Sequence, residues 1–198
     1  GNSEDTSKIK TKIENGILSI QSKGNGKFSE KAKVSVTVKK LESLILSGAS
    51  EVNSSGELIQ DKIDIESSGA GDAHLVVKSS QIKVEVSGAG NLHLSGTTGL
   101  LQSKVSGAGE LKAYALSSDS VIANVSGSGT AKVNAIKSIS ASVSGAGSVI
   151  YKGEPTDRNV EISGAGSVRQ ARGENEIEIN ESLKIDRRDG DTTRFKLG

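Results

Sequence analysis

The sequence predicts an all-β protein, a coil of stacked strands that advances about 19 residues per turn. Three observations carry this reading. A short tetrad recurs at nearly constant spacing, apolar and polar residues alternate on both sides of it, and no window shows a 3.6-residue period.

The tetrad Ser-Gly-Ala-Gly begins at Ser68, Ser87, Ser106, Ser144 and Ser163, with the variants SGAS at Ser47 and SGSG at Ser126. Successive starts lie 21, 19, 19, 20, 18 and 19 residues apart. Spacing this even marks the chain from Leu41 to Gln170 as an array of one supersecondary unit.

The units agree beyond the tetrad. One residue before the serine stand Leu46, Ser67, Val86, Val105, Val125, Val143 and Ile162; three before stand Leu44, Ile65, Val84, Ser103, Ala123, Ala141 and Val160. Five after come Ala73, Leu92, Leu111, Ala131, Val149 and Val168; seven after come Leu75, Leu94, Ala113, Val133 and Tyr151. Odd offsets are mostly apolar and even offsets mostly polar, which is the period of a strand with one buried face.

The paired glycines, Gly69 and Gly71, Gly88 and Gly90, Gly107 and Gly109, Gly127 and Gly129, Gly145 and Gly147, Gly164 and Gly166, also fall on odd, inward offsets. A glycine inside a strand costs about 0.5–1 kcal/mol relative to alanine. A cost repeated in every unit needs a structural return. Glycine opens backbone angles closed to other residues, and it lets neighbouring backbones approach closely. Both describe a corner in a closed winding.

A second break follows about half a unit later, in KSSQ, SGTTG, LSSDS, AIKS and KGEPTDRN. These compositions favour turns and vary in length, so they are expected to be outward loops. Each unit then reads strand, glycine corner, strand, loop. A parallel solenoid makes each unit one turn, whereas an antiparallel sandwich or barrel makes it a hairpin. Equal offsets at every tetrad favour the solenoid, because stacking forces equivalent positions into files.

Serial tetrads at this spacing resemble the "putative auto-transporter adhesin, head GIN domain" family, common in Bacteroidetes. Glu14-Asn15-Gly16-Ile17-Leu18-Ser19-Ile20 and Leu41-Glu42-Ser43-Leu44-Ile45-Leu46-Ser47-Gly48-Ala49 are similar to its opening strands. The resemblance covers roughly residues 10–170. It implies a right-handed parallel β-helix, exported to the periplasm or outer cell surface and often lipid-anchored. It brings no catalytic residues.

Length and composition fit one solenoid domain over residues 1–198. Residues 1–40 are expected to form opening strands and first turns, including the alternating run Lys33-Val34-Ser35-Val36-Thr37-Val38-Lys39. Residues 171–198 are charge-rich and expected to cap the open end of the array. A net charge of +1 gives no field that favours nucleic acid or membrane, and none is expected as a partner. No apolar run reaches the ~18 residues of a membrane span. Gly1 resembles a tag scar, so an export signal, and with it a lipid anchor, is expected upstream. The absence of cysteine removes disulfide and thiol chemistry.

Candidates for chemistry are few. His74 and His93, the only histidines, share one outward offset in adjacent units and would stack one rung apart. A metal site needs three or four ligands, and the file continues with Lys112, Lys132, Ile150 and Arg169, which repel a cation. The same file is a partly basic stripe for an anionic glycan or another acidic surface, offset by Asp72 and Glu110. Asp64, Glu66 and Glu85 lie on outward files, and neighbouring carboxyl groups ~5–9.5 Å apart can hydrolyse glycosides. Such pairs arise by accident in any stacked array with repeated acids, and aromatic platforms are scarce. Tyr114, Asp119, Tyr151 and Arg158 are loop-region candidates for binding. No cofactor or catalytic residue is expected. The reading is a non-catalytic, exported surface module that binds glycan or a surface protein. The alternatives are an assembly subunit stacking through its ends as a homo-oligomer, and a polysaccharide-acting enzyme.

Overall fold

A computed structural model of the chain describes residues 9–22 and 33–171. Contacts divide the chain into two units, Gly1–Lys39 and Lys40–Gly198. All regular elements among the described residues are strands.

In the first unit, β1 (Ile9–Glu14) and β2 (Ile17–Ser22) pair antiparallel, with Glu14 opposite Ile17. The two residues between them, Asn15 at φ 49° and Gly16 at φ 78°, are both left-handed. A two-residue hairpin turn that matches the strand twist requires this, and Asn-Gly adopts it most readily. These opening strands therefore pair with each other and do not form a turn of the coil. The alternating run 33–39, expected as strand, has no strand assignment and is exposed throughout. Its two faces are polar and valine-rich, but among the described residues no strand pairs with its backbone along a ladder.

The second unit holds β3 (Ser43–Leu46), β4 (Glu51–Ser67), β5 (Asp72–Val86), β6 (Asn91–Val105), β7 (Glu110–Val125), β8 (Thr130–Gly145), β9 (Ser148–Lys152), β10 (Asp157–Gly164) and β11 (Ser167–Gln170). Every neighbouring pair is parallel. β9 and β10 stack on the two halves of β8, so together they form one rung interrupted by a short loop. This is a parallel β-solenoid, and its pairings reproduce the files read from the sequence. Leu44 pairs with Ile65, Ile65 with Val84, Val84 with Ser103, Ser103 with Ala123, Ala123 with Ala141, and Ala141 with Val160. The antiparallel alternative is excluded.

Each of β4 to β8 winds through a whole turn as two legs around one core. In β5 the buried residues are Ala73, Leu75 and Val77 on the first leg and Ile82, Val84 and Val86 on the second. The inward phase changes between Val77 and Ile82, so the strand bends there to keep both legs facing the core. Most second breaks are thus bends inside continuous strands, where outward loops were expected. Of these breaks, only KGEPTDRN interrupts the strand itself, at residues 153–156. The inside of this bend is lined by a polar file, Ser79, Thr98 and Ser118. Ser118 is fully buried, and its hydroxyl donates to the Leu116 carbonyl at 3.4 Å. Thr98 donates to Leu100 O at 3.2 Å. A buried hydroxyl with a nearby carbonyl avoids the cost of desolvation without a partner.

The glycine corners keep the ladder intact. Ala70 N donates to Gly48 O at 2.9 Å, Ala89 N to Gly69 O at 3.0 Å, and Ala108 N to Gly88 O at 3.1 Å. Rungs approach closely here because neither side carries a Cβ. A Cβ built on Gly109 would lie 2.5 Å from Gly90 O and 2.8 Å from Val86 Cγ1. Close approach is the general cause, since most corner glycines keep backbone angles open to other residues. Gly145 at φ 140° and Gly164 at φ 128° add a left-handed requirement.

Residues 172–198, the bulk of the expected cap, lie outside the described residues.

Gly107→Val should destabilise by more than about 4 kcal/mol, because its Cβ would press into backbone, 2.6 Å from Ser87 O. Lys112→Ala, on the outer face, should stay within about 0.5 kcal/mol of the parent. Denaturant unfolding of both variants checks this, and equal midpoints would contradict the corner's role.

Candidate functional site

The outward file on the first legs is the residue set that the repeat predicted. Asn53 pairs with His74, His74 with His93, His93 with Lys112, Lys112 with Lys132, Lys132 with Ile150, and Ile150 with Arg169. Parallel register forces like positions into contact, and the imidazoles of His74 and His93 stack with centroids 4.1 Å apart and planes 17° from parallel. Among the described residues no group of three His, Asp or Glu is placed to hold a metal ion.

Flanking groups set the charge of this face. Asp72 accepts two hydrogen bonds from Asn91, from the side-chain amide and the backbone N–H, both at 3.0 Å. The side-chain bond first, then the backbone one, hold its carboxyl below the usual range. Burial pushes the Glu110 carboxyl up, but the bond and charge from Lys132, with the charge of Lys112, outweigh it and the net direction is down. Glu110 is 2.9 Å from Lys132 Nζ and 3.4 Å from Lys112 Nζ, so Lys132 holds it more closely. The bond to Glu110 raises Lys132. Burial, then the charges of His74 and Lys112, push His93 below an ordinary histidine, with Asp72 and Glu110 opposing. The stripe is thus partly neutralised at Glu110 and interrupted by the buried Ile150.

Beside the histidines lies a depression of about 410 Å³. Its floor is His74, His93, Val76 and Ser95 on β5 and β6, and its walls are Asn53 and Ser54 on β4 and Lys112, Tyr114 and Ala115 on β7. The walls follow from rung length. β4 carries extra residues between Asn53 and Glu57, and β7 carries one relative to β6 just after Lys112. Both are bulges, which push a strand out of the ladder and re-aim its side chains. Lys152 Nζ sits 5.0 Å from the Tyr114 ring centroid, a cation–π distance that helps fix the ring.

Other candidates are placed elsewhere. Tyr151 was expected to be available for binding, but it is 7% exposed and packs in the core. It pairs with Val133 at an inward offset, so the alternation that buries Val133 buries it too. Asp119 pairs with Lys137 at 2.9 Å, and Arg158 donates to Pro155 O at 2.8 Å, both away from the depression. Glu66 and Glu85 do occupy neighbouring rungs. Lys104 bonds Glu85 at 2.9 Å, and that bond holds its carboxyl below the usual range despite burial. Glycoside hydrolysis needs a proton donor with a raised value, so Glu85 is not set up as one.

Fold and face together define a parallel β-solenoid repeat protein with a rigid, mixed-charge outer face. The chain belongs to the family described as "Putative auto-transporter adhesin, head GIN domain", whose model matches residues 1–155. It is similar to the crystal structure of a "putative adhesin" from Bacteroides fragilis, at 28% identity over 84% of this chain and 78% of that one, with a TM-score of 0.79. A "putative adhesin" from Parabacteroides merdae matches at 18% identity over 86% and 80% of the two chains, TM-score 0.69. A "putative lipid binding protein" from Parabacteroides distasonis matches at 22% identity over 85% and 81%, TM-score 0.57. The last two show a shared fold. No curated protein matches the chain.

His93 should titrate below the ~6.5 of an ordinary histidine. Between its folded value and ~6.5 the unfolded chain binds more protons, so stability should fall as pH falls through that window. His93→Gln should flatten this slope. An NMR titration of the imidazole checks the direction, and a midpoint at or above 6.5 would contradict the stacked, partly buried placement.

Proposed function

We propose that the protein is a non-catalytic recognition module of the cell envelope, exported and surface-exposed, that binds through the outer face of its first legs. One observation carries this: parallel pairing keeps the file from Asn53 to Arg169 in register, rung on rung, so a binding face is organised before any ligand arrives. Family membership and the adhesin name of the Bacteroides fragilis relative support it. Attachment through a lipid on a segment preceding Gly1 is the finer part of the reading, and glycan or a surface protein is the partner class. In the native organism, the protein should be cut by protease added to intact cells and should partition into detergent. Labelled protein should bind immobilised mucin or cell surfaces in a saturable way. Protection in intact cells together with no saturable binding would overturn the reading.

A second reading, association through the solenoid end, is favoured by the last described rung. Val160 and Ile162 on β10 occupy inward files yet are 47% and 46% exposed, whereas Ala141 and Val143 one rung earlier are 2% and 1% exposed. Light scattering across concentration should show reversible association that Ile162→Lys abolishes. A monomer at every concentration would end this reading.

A further inference from the structure

We infer that the depression between the β4 and β7 bulges is a binding site for an acidic saccharide, a sugar that carries a carboxylate or sulfate. The inference rests on the recognition-module reading and assigns its ligand class.

The volume of about 410 Å³ lies within the ~300–1,000 Å³ of pockets that hold small ligands. From its β4 wall to its β7 wall the depression spans three rung spacings of ~4.8 Å each, the scale of one or two sugar rings. The site is built by the chain's own irregularity, since the two evenly matched rungs between the bulges form its floor.

Chemistry selects the class. The lining itself offers one cation, Lys112, while two carboxylates stand at its edge, Glu51 bonded to the Asn53 amide at 3.0 Å and Glu110 beside Lys112. Glu110 is shared and lies closer to Lys132, so Lys112 keeps only a 3.4 Å ion pair that a ligand anion can replace. Asn53 donates its amide to Glu51 at 3.0 Å and the Ser54 hydroxyl accepts from Val76 N at 3.0 Å, so a sugar hydroxyl would meet the Asn53 carbonyl oxygen and the Ser54 O–H donor. The imidazoles of His74 and His93 cover one face of each other and bring polar ring edges to the site, while the Tyr114 ring, with Lys152 over one face, is the aromatic surface for the C–H face of a pyranose. A peptide is served less well. The backbone of the floor is committed to its own ladder, so no strand can be added there.

The test uses the full chain on a glycan array carrying neutral, carboxylated and sulfated oligosaccharides. Calorimetry then follows on the best spot of each class. Binding should be confined to acidic sugars, and the carboxylated and sulfated arms separate the two anion sources. Lys112→Ala and Tyr114→Ala should each weaken binding about tenfold or more, the loss of a charge-assisted bond or a stacking surface. Lys104→Ala, on the second-leg face, should change it less than about twofold. Unchanged melting midpoints confirm that each variant folds. Equal binding of neutral sugars, or full affinity in Lys112→Ala, would overturn the inference. A blank array with saturable adhesion to cell surfaces would also overturn it while leaving the recognition-module reading standing, and a protein ligand then takes its place. Failure in both assays removes both.

Discussion

The structure depends on backbone lying directly against backbone at the glycine corner. A parallel ladder wants an unbroken row of N–H to C=O bonds, and a closed winding wants a sharp change of direction in every turn. These demands conflict wherever a Cβ points along the coil axis toward the preceding rung. Removing it at both tetrad glycines lets the chain turn while Ala89, Ala108 and Ala146 still donate to the rung before, at 3.0, 3.1 and 3.1 Å. The cost of glycine in a strand is thereby offset by bonds that a bulkier corner would break. Every inner rung has two nearest neighbours, so the constraint repeats along the array.

That constraint divides the residues of a turn into two populations. Inward positions are held mostly to small and medium side chains, with Tyr151 the large exception, because two legs close on a thin core. Outward positions are held to a place but not to a chemistry. This is why the files of Leu44 and Ala73 stay apolar or small along their length, while the file of His74 changes from amide to imidazole to ammonium to isoleucine. Function in such a fold resides in which side chains happen to share a file, and in how charges between files settle. Glu110, reached from its own rung and the next, shows how a single acid tempers a basic stripe.

The files, the parallel register and the corner were legible from residue spacing, because each is enforced by a period that leaves a trace at every turn. Other features were harder to read for definite physical reasons. The second break looked like a loop because Ser, Gly and Thr favour turns, but a bend lined by Ser79, Thr98 and Ser118 uses the same residues while keeping its ladder. The run 33–39 alternates as a strand does, yet alternation says only that a strand would have two unlike faces, and not that a partner exists. Tyr151 drew attention as a rare aromatic, though its own inward offset already pointed to the core. Asn15-Gly16 carried a hairpin signal strong enough to set β1 against β2 without reference to the repeat.

The depression on the outer face was also written in the sequence, in the unequal steps between tetrads. A coil of identical turns has a smooth side, since each rung covers the one before without remainder. The first step is 21 residues, the next two are 19, and the fourth is 20. Register on the inner files must be kept, so the surplus residues cannot slide the ladder and must leave it. In β4 and β7 they leave it on the first leg beside the His74 file, where the pairing skips from Asn53 to Glu57 and from Lys112 to Ala115. Two long rungs around two short ones make a trough, and the residues at its edge are set by where the surplus escapes. The tetrads therefore fix the axis of the coil, and departures from their period give its side relief.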